Sequence, residues 1–288
     1  GVDVRHSRTR NTGRGQQPRQ QQARADVGAH DRNHTLERRA GGDETPALRI
    51  AAMQYSADHF MEKDVTTIED LIAYKESATA CWISVYGLSQ VTALEQIGRI
   101  FGMHPLVLED IVNTDQRPKM EDYGDYLYIV LRILSFNEKR QEIAGEQISI
   151  SFHETAAGDS FAPLRERLRN GKGKSRKMGV DYVAYALMDA VVDNYFVLLE
   201  RLGEHVDLIE EDLVINPQTQ TMRAIHKLKR EMIFLRRSVW PVREVISGLQ
   251  RVDSKLVHAS TLIYLRDVYD HTIHAIDTIE TLRDMLSG

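Results

Sequence analysis

Three stretches in the second half of the chain, residues 181–214, 221–250 and 260–286, keep apolar side chains at three- and four-residue steps almost without interruption. In the last, Leu262, Leu265, Tyr269, Ile273, Ile276, Ile279 and Leu286 fall on one helical face. Such helices are more than twice the mean length of about 11–12 residues. They usually build a bundle, a coiled-coil stalk or an arm reaching away from a domain. Asn216-Pro217 separates the first two, because proline removes a backbone donor and clashes with the preceding turn. Pro241 lies inside the second and predicts a kink there. The third keeps its pattern to Met285 and Leu286 with no stop signal, which predicts a helix cut short.

Ahead of these helices the texture alternates. Leu48–Tyr55, Ala80–Tyr86 and Tyr126–Phe136 read as strands, and Gln147–His153 as a weaker one. Thr67–Lys75 reads as a short helix with Ile68, Leu71 and Ile72 on one face. Thr92–Phe101 is another, stopped by Gly102, and His104-Pro105 opens a third that ends near Asn113. Alternating strands and helices make this part α/β. Residues 1–45, rich in Arg, Gln and Gly, read as a disordered tail, since they cannot bury enough apolar surface to offset ordering.

Charge narrows the partners. Residues 1–42 carry +5, so the net −5 of the chain leaves −10 on the remainder. An acidic body argues against nucleic acid and is compatible with cations. The single cysteine, Cys81, makes no internal disulfide and fits a reducing compartment. No apolar leader and no run of 18 uncharged apolar residues occur, so no bilayer span is expected within these residues.

No HExxH, CxxC, GxSxG or GxGxxG is present, and the chain does not read as an enzyme. Gly173-Lys174-Ser175 imitates the end of a P-loop, but Leu168 stands where the upstream glycine is required. Trp82 and Trp240 are expected to pack in or against the core.

Some acids are placed awkwardly for stability alone. Glu109 and Asp110 sit near the C-terminal end of a short helix, where the macrodipole penalises each by about 0.3–1 kcal/mol. Locally they are either a solvated acidic turn or a cation site. Asp267 and His271 are four apart on the last helix and share a face, with Asp270 adjacent and His274 further along. That face is either solvated or ligating. Its carboxylates would suit Mg²⁺, and its imidazoles the softer Co²⁺ or Ni²⁺. The run Glu204, Asp207, Glu210, Glu211 and Asp212 near the tip of the first long helix is an ordinary helix end or a concentrator of cations. The basic stretch Lys227, Lys229, Arg230, Arg236, Arg237 and Arg243 reads mainly as salt-bridged surface.

The stretch Phe101-Gly102-Met103-His104-Pro105-Leu106-Val107-Leu108-Glu109-Asp110-Ile111-Val112-Asn113 resembles a signature of the CorA magnesium-channel family. So do Gln116-Arg117-Pro118-Lys119 with the strand Tyr126–Leu131, the segment Leu235–Glu244, and Tyr264–Thr272, in the family's order. The resemblance implies a mixed sheet sandwiched between helical layers and followed by long helices, the last being the N-terminal part of a stalk. It divides the chain into the tail, an α/β part at 46–178, a long helical hairpin at 179–258 and the stalk at 259–288. The family continues into two membrane helices with a Gly-Met-Asn pore loop that do not occur here, and it usually shows a two-stranded hairpin where Gln147–His153 reads short.

The resemblance also implies a homopentamer at the cytoplasmic face of the cell membrane, or a monomer or weak oligomer without the membrane segments. Its regulatory ligand would be Mg²⁺, with Co²⁺ and Ni²⁺ as further ions. Asp110 would meet Asp267 of a neighbouring subunit around a divalent cation, and Glu109 and Asp189 would join Asp267 in a second site, with His271 beside it. The alternatives are the cytoplasmic domain of a ZntB-like zinc transporter and a soluble helical adaptor with no metal function.

Overall fold

Seven strands form one mixed sheet: β1 (Arg49–Tyr55), β2 (Phe60–Val65), β3 (Ala80–Tyr86), β4 (Lys119–Asp122), β5 (Leu127–Asn137), β6 (Glu142–Ser149) and β7 (Phe152–His153). Their spatial order is β2-β1-β3-β7-β6-β5-β4. The two-residue β7 runs parallel to β3 and antiparallel to β6, and the other neighbours pair antiparallel. The computed structural model describes residues 47–77, 79–113, 115–137, 142–149, 152–153, 160–215 and 218–287. The expected tail at 1–45 and the Asn216-Pro217 break lie outside the described residues.

Side chains alternate across the sheet, as the pleat requires. On β5, Tyr128 and Val130 enter one core with Ile50 and Val85, while Ile129, Leu131 and Ile133 enter another with Met53, Tyr55 and Trp82. The first core is covered by α1 (Leu71–Lys75), α2 (Val91–Phe101) and α3 (Pro105–Val112) through Leu71, Leu94, Ile97, Val107 and Ile111. The second is covered by α4 (Ala162–Asn170), α5 (Val180–Ile215), α6 (Thr219–Arg251) and α7 (Ala259–Met285). A sheet between helical layers is therefore the observed architecture.

Local sequence explains the element ends that matter. Gly102 closes α2 in the left-handed region at φ 69°, a conformation other residues adopt at a cost. Pro105 takes the first turn of α3, and the imidazole Nδ1 of His104 accepts the Leu106 N–H at 3.2 Å. By length and composition α5 could cross a membrane, yet half of its most apolar window is buried in this fold. It is the core helix, carrying Val183, Val191, Val192, Tyr195, Leu199, Leu202 and Val206 into the second core. Helix α6 runs on through Pro241, and α7 packs against both α5 and α6 along Leu265, Val268, Ala275 and Ile279.

Two expectations need correction. Strand β6 begins at Glu142 and pairs with β5 from Asn137↔Glu142 to Val130↔Ser149, so the hairpin is not reduced to Gln147–His153. Its first half, Glu-Ile-Ala-Gly-Glu, carries little β-propensity, and the pairing with β5 extends the strand regardless. Trp240 is not in the core: it is 40% exposed, with the Arg236 and Arg243 guanidinium groups 5.3 and 5.8 Å from its ring. Trp82 is buried as expected, edge-on to Phe161.

Candidate metal centre

Asp189 and Asp193 lie one turn apart on α5 and face His271 of α7. One ligand atom from each of the three lies within 4.8 Å of the others. Asp189 and His271 are half-buried, and Asp193 is exposed. The Nδ1 of His271 is buried without a hydrogen-bond partner, while its ring meets Phe196 edge-on at 6.3 Å. Tyr185 donates a long 3.5 Å hydrogen bond to Asp189 Oδ2. Burial raises the Asp189 carboxyl above the ordinary aspartate range; Asp193 and Asp267 add to the rise, and His271 and Arg167 oppose it. The cluster is thus a partly desolvated pair of acids whose mutual repulsion a cation would reverse.

Asp267, one turn before His271 on α7, is exposed and close enough to influence both Asp189 and Tyr185. The four residues make one acidic patch on the α5–α7 surface. Two or three carboxylates with an imidazole fit a divalent ion: the oxygens suit hydrated Mg²⁺, and the nitrogen suits softer metals.

Glu109 and Asp110 are elsewhere, on α3 over the other face of the sheet. Glu109 is exposed. Asp110 is half-buried: Gln116 Nε2 donates to its Oδ1, and Lys119 Nζ forms an ion pair with its Oδ2. The same ammonium lies 2.8 Å from Glu121 Oε1 and 5.4 Å from the centre of the Tyr128 ring. Lys119 holds the Glu121 carboxyl below its usual range, and Tyr123 donates to Glu121 Oε2 at 2.9 Å. Within one chain Asp110 and Asp267 therefore belong to helical layers on the two faces of the sheet.

A family model described as "CorA-like Mg2+ transporter protein" matches residues 77–288. The chain belongs to the CorA family. It is 41% identical over 248 residues to the cobalt/magnesium transport protein CorA of Thermotoga maritima, covering 84% of this chain and 71% of that protein. The soluble domain of CorA from Methanocaldococcus jannaschii superposes with a TM-score of 0.64 at 18% identity, covering 84% of this chain and 94% of that one. The cytoplasmic domain of ZntB from Vibrio parahaemolyticus shares the fold at a TM-score of 0.59 and 13% identity, covering 84% and 95%. The CorA relatives are transporters, which speaks against an enzyme.

On this CorA fold the sequence-selected residues fall into two groups. Asp189, Asp267 and His271 come together on the α5–α7 face, while Glu109 and Asp110 stay on α3. Asp193 was not among the selected residues. Its signal was present, a second carboxylate four positions after Asp189 on a predicted helix.

Proposed function

We propose that this chain is the cytoplasmic, Mg²⁺-sensing part of a CorA-type divalent-cation channel, working as a ring of identical subunits, a homopentamer by family resemblance. The observation that carries the reading is the placement of Asp110 and the Asp189–Asp193–Asp267–His271 patch on opposite faces of the sheet. A closed ring needs two different surfaces on each subunit, one meeting the next subunit's other surface. Acids on both surfaces would then face each other at every junction. The remaining division follows: the sheet part at 46–178, the helices at 179–258, and a stalk from 259.

Two carboxylates about 5 Å apart repel by about 3 kcal/mol at an effective dielectric near 20. A divalent cation between them reverses that sign. Hydrated Mg²⁺ holds weakly at such a site, so occupancy follows millimolar changes. Summed around a ring, weak sites bias a two-state equilibrium between closed and open arrangements. High Mg²⁺ would close the ring, and low Mg²⁺ would let it splay.

The test is Mg²⁺-dependent protection from proteolysis in Asp110→Lys and Asp267→Lys variants. Each should lose most of the protection seen in the parent chain; protection retained in both would sink the reading, and an adaptor without metal function would gain.

His271 favours a second reading, that the α5–α7 patch takes a softer ion such as Co²⁺, Ni²⁺ or Zn²⁺. Calorimetric titration with each metal, on the parent and on His271→Ala, separates the two. Selective loss of the softer ions assigns the imidazole as their ligand.

A further inference from the structure

We infer that Lys119 is a tethered competitor for the cation at Asp110 and sets how much Mg²⁺ the junction requires. This rests on the reading of Asp110 as a metal ligand. The β4–β5 register pairs Lys119 with Val130 and Glu121 with Tyr128, so Lys119, Glu121 and the Tyr128 ring all lie on the α3 side of the sheet. There the ammonium pairs with Asp110 Oδ2, and the Gln116 amide takes Oδ1. Both oxygens of Asp110 are thus engaged before any metal arrives. An incoming cation must displace the ammonium or share the carboxylate with it.

Displacement strands no charge. Lys119 Nζ already sits 2.8 Å from Glu121 Oε1 and over the Tyr128 ring, so it can stay with Glu121 when it releases Asp110. Glu121 in turn is held by the Tyr123 hydroxyl at 2.9 Å. The arrangement is a swap between two carboxylates, one of which is free for metal only when the lysine has moved to the other. An ordinary surface ion pair would lack the second resting place. Because both partners are half-buried, the competition should be modest, about three- to tenfold in apparent Mg²⁺ affinity.

The experiment follows Mg²⁺-dependent thermal stabilisation and self-association of this chain at fixed ionic strength. Lys119→Met should lower the half-saturating Mg²⁺ by about three- to tenfold, and Lys119→Arg, which keeps the charge, should stay within about twofold of the parent. Glu121→Gln removes the resting place and should raise the requirement. It also carries the test if Lys119→Met does not fold. A folded Lys119→Met needing as much Mg²⁺ as the parent, or more, overturns the competitor role, as does a Glu121→Gln chain with an unchanged requirement. Asp110→Asn tells the two ideas apart. If it abolishes the response while Lys119→Met changes nothing, only the lysine proposal fails. If it leaves the response intact, the assignment of Asp110 itself fails.

Discussion

The buried phenol of Tyr195, on α5, donates to the backbone carbonyl of Arg132, on β5, at 2.7 Å. This bond ties the core helix to the sheet from within the second core. Tyr195→Phe keeps the ring and strands the carbonyl, so it should cost about 1–2 kcal/mol of stability without altering the metal response. Urea denaturation read beside Mg²⁺ titration checks both parts.

Asp181 joins the start of α5 to the start of α7. Its buried side chain, 4% exposed, accepts the His258 N–H at 2.9 Å and faces the His258 imidazole at 3.0 Å. Burial alone would raise its carboxyl, but the hydrogen bonds it accepts outweigh that and hold it below the ordinary range. A depressed folded value stabilises the protein above the unfolded value of about 3.9 and is lost as pH falls through the folded one. Asp181→Asn should therefore be less stable than the parent at pH 7, by about 1–2 kcal/mol, with the two melting curves converging in acid.

Asp189 should behave in the opposite sense. Its carboxyl is raised first by burial and then by Asp193, so ionisation at neutral pH works against the metal-free fold. The folded state loses that part of its stability as pH rises through the carboxylate range. Asp189→Asn should stabilise the metal-free protein at pH 7, by at most about 1 kcal/mol after solvent screening, and weaken its response to divalent ions. Thermal melts in chelator and in Mg²⁺ give both readings; a destabilised metal-free variant would contradict the repulsion.

Gly102 is a purely backbone prediction. Nothing lies within 4 Å of a Cβ added there, but its φ of +69° strains any L side chain. Gly102→Ala should cost about 1–2 kcal/mol, measurable by chemical denaturation.

The long helices were legible to within two residues because periodicity over more than seven turns outweighs local noise. Ala80–Tyr86 and the Gly102 stop were equally plain. Strands β2 and β4 were missed, since edge strands carrying Glu62, Lys63 and Asp64, or Lys119, Glu121 and Asp122, show no apolar alternation. Helix α4 was missed too: outside Leu164 and Leu168 its residues are mostly charged or polar. The hold of Lys119 on Asp110 joins the end of α3 to the first residue of β4, nine positions on, a meeting set by the β4–β5 register.

Strand β7 is where the two leaves of the sheet join. Among the described residues, backbone pairing between the β2-β1-β3 leaf and the β6-β5-β4 leaf runs through Val85↔Phe152, Tyr86↔His153, Ile148↔His153 and Ser149↔Phe152. The apolar layers span both leaves too: Ile50 and Val85 share one core with Tyr128 and Val130, and Met53 and Trp82 share the other with Ile129 and Leu131. Packing on both faces therefore couples the leaves, so a push on the α3 acids at the β4 edge reaches the far leaf through side chains as well as through the backbone.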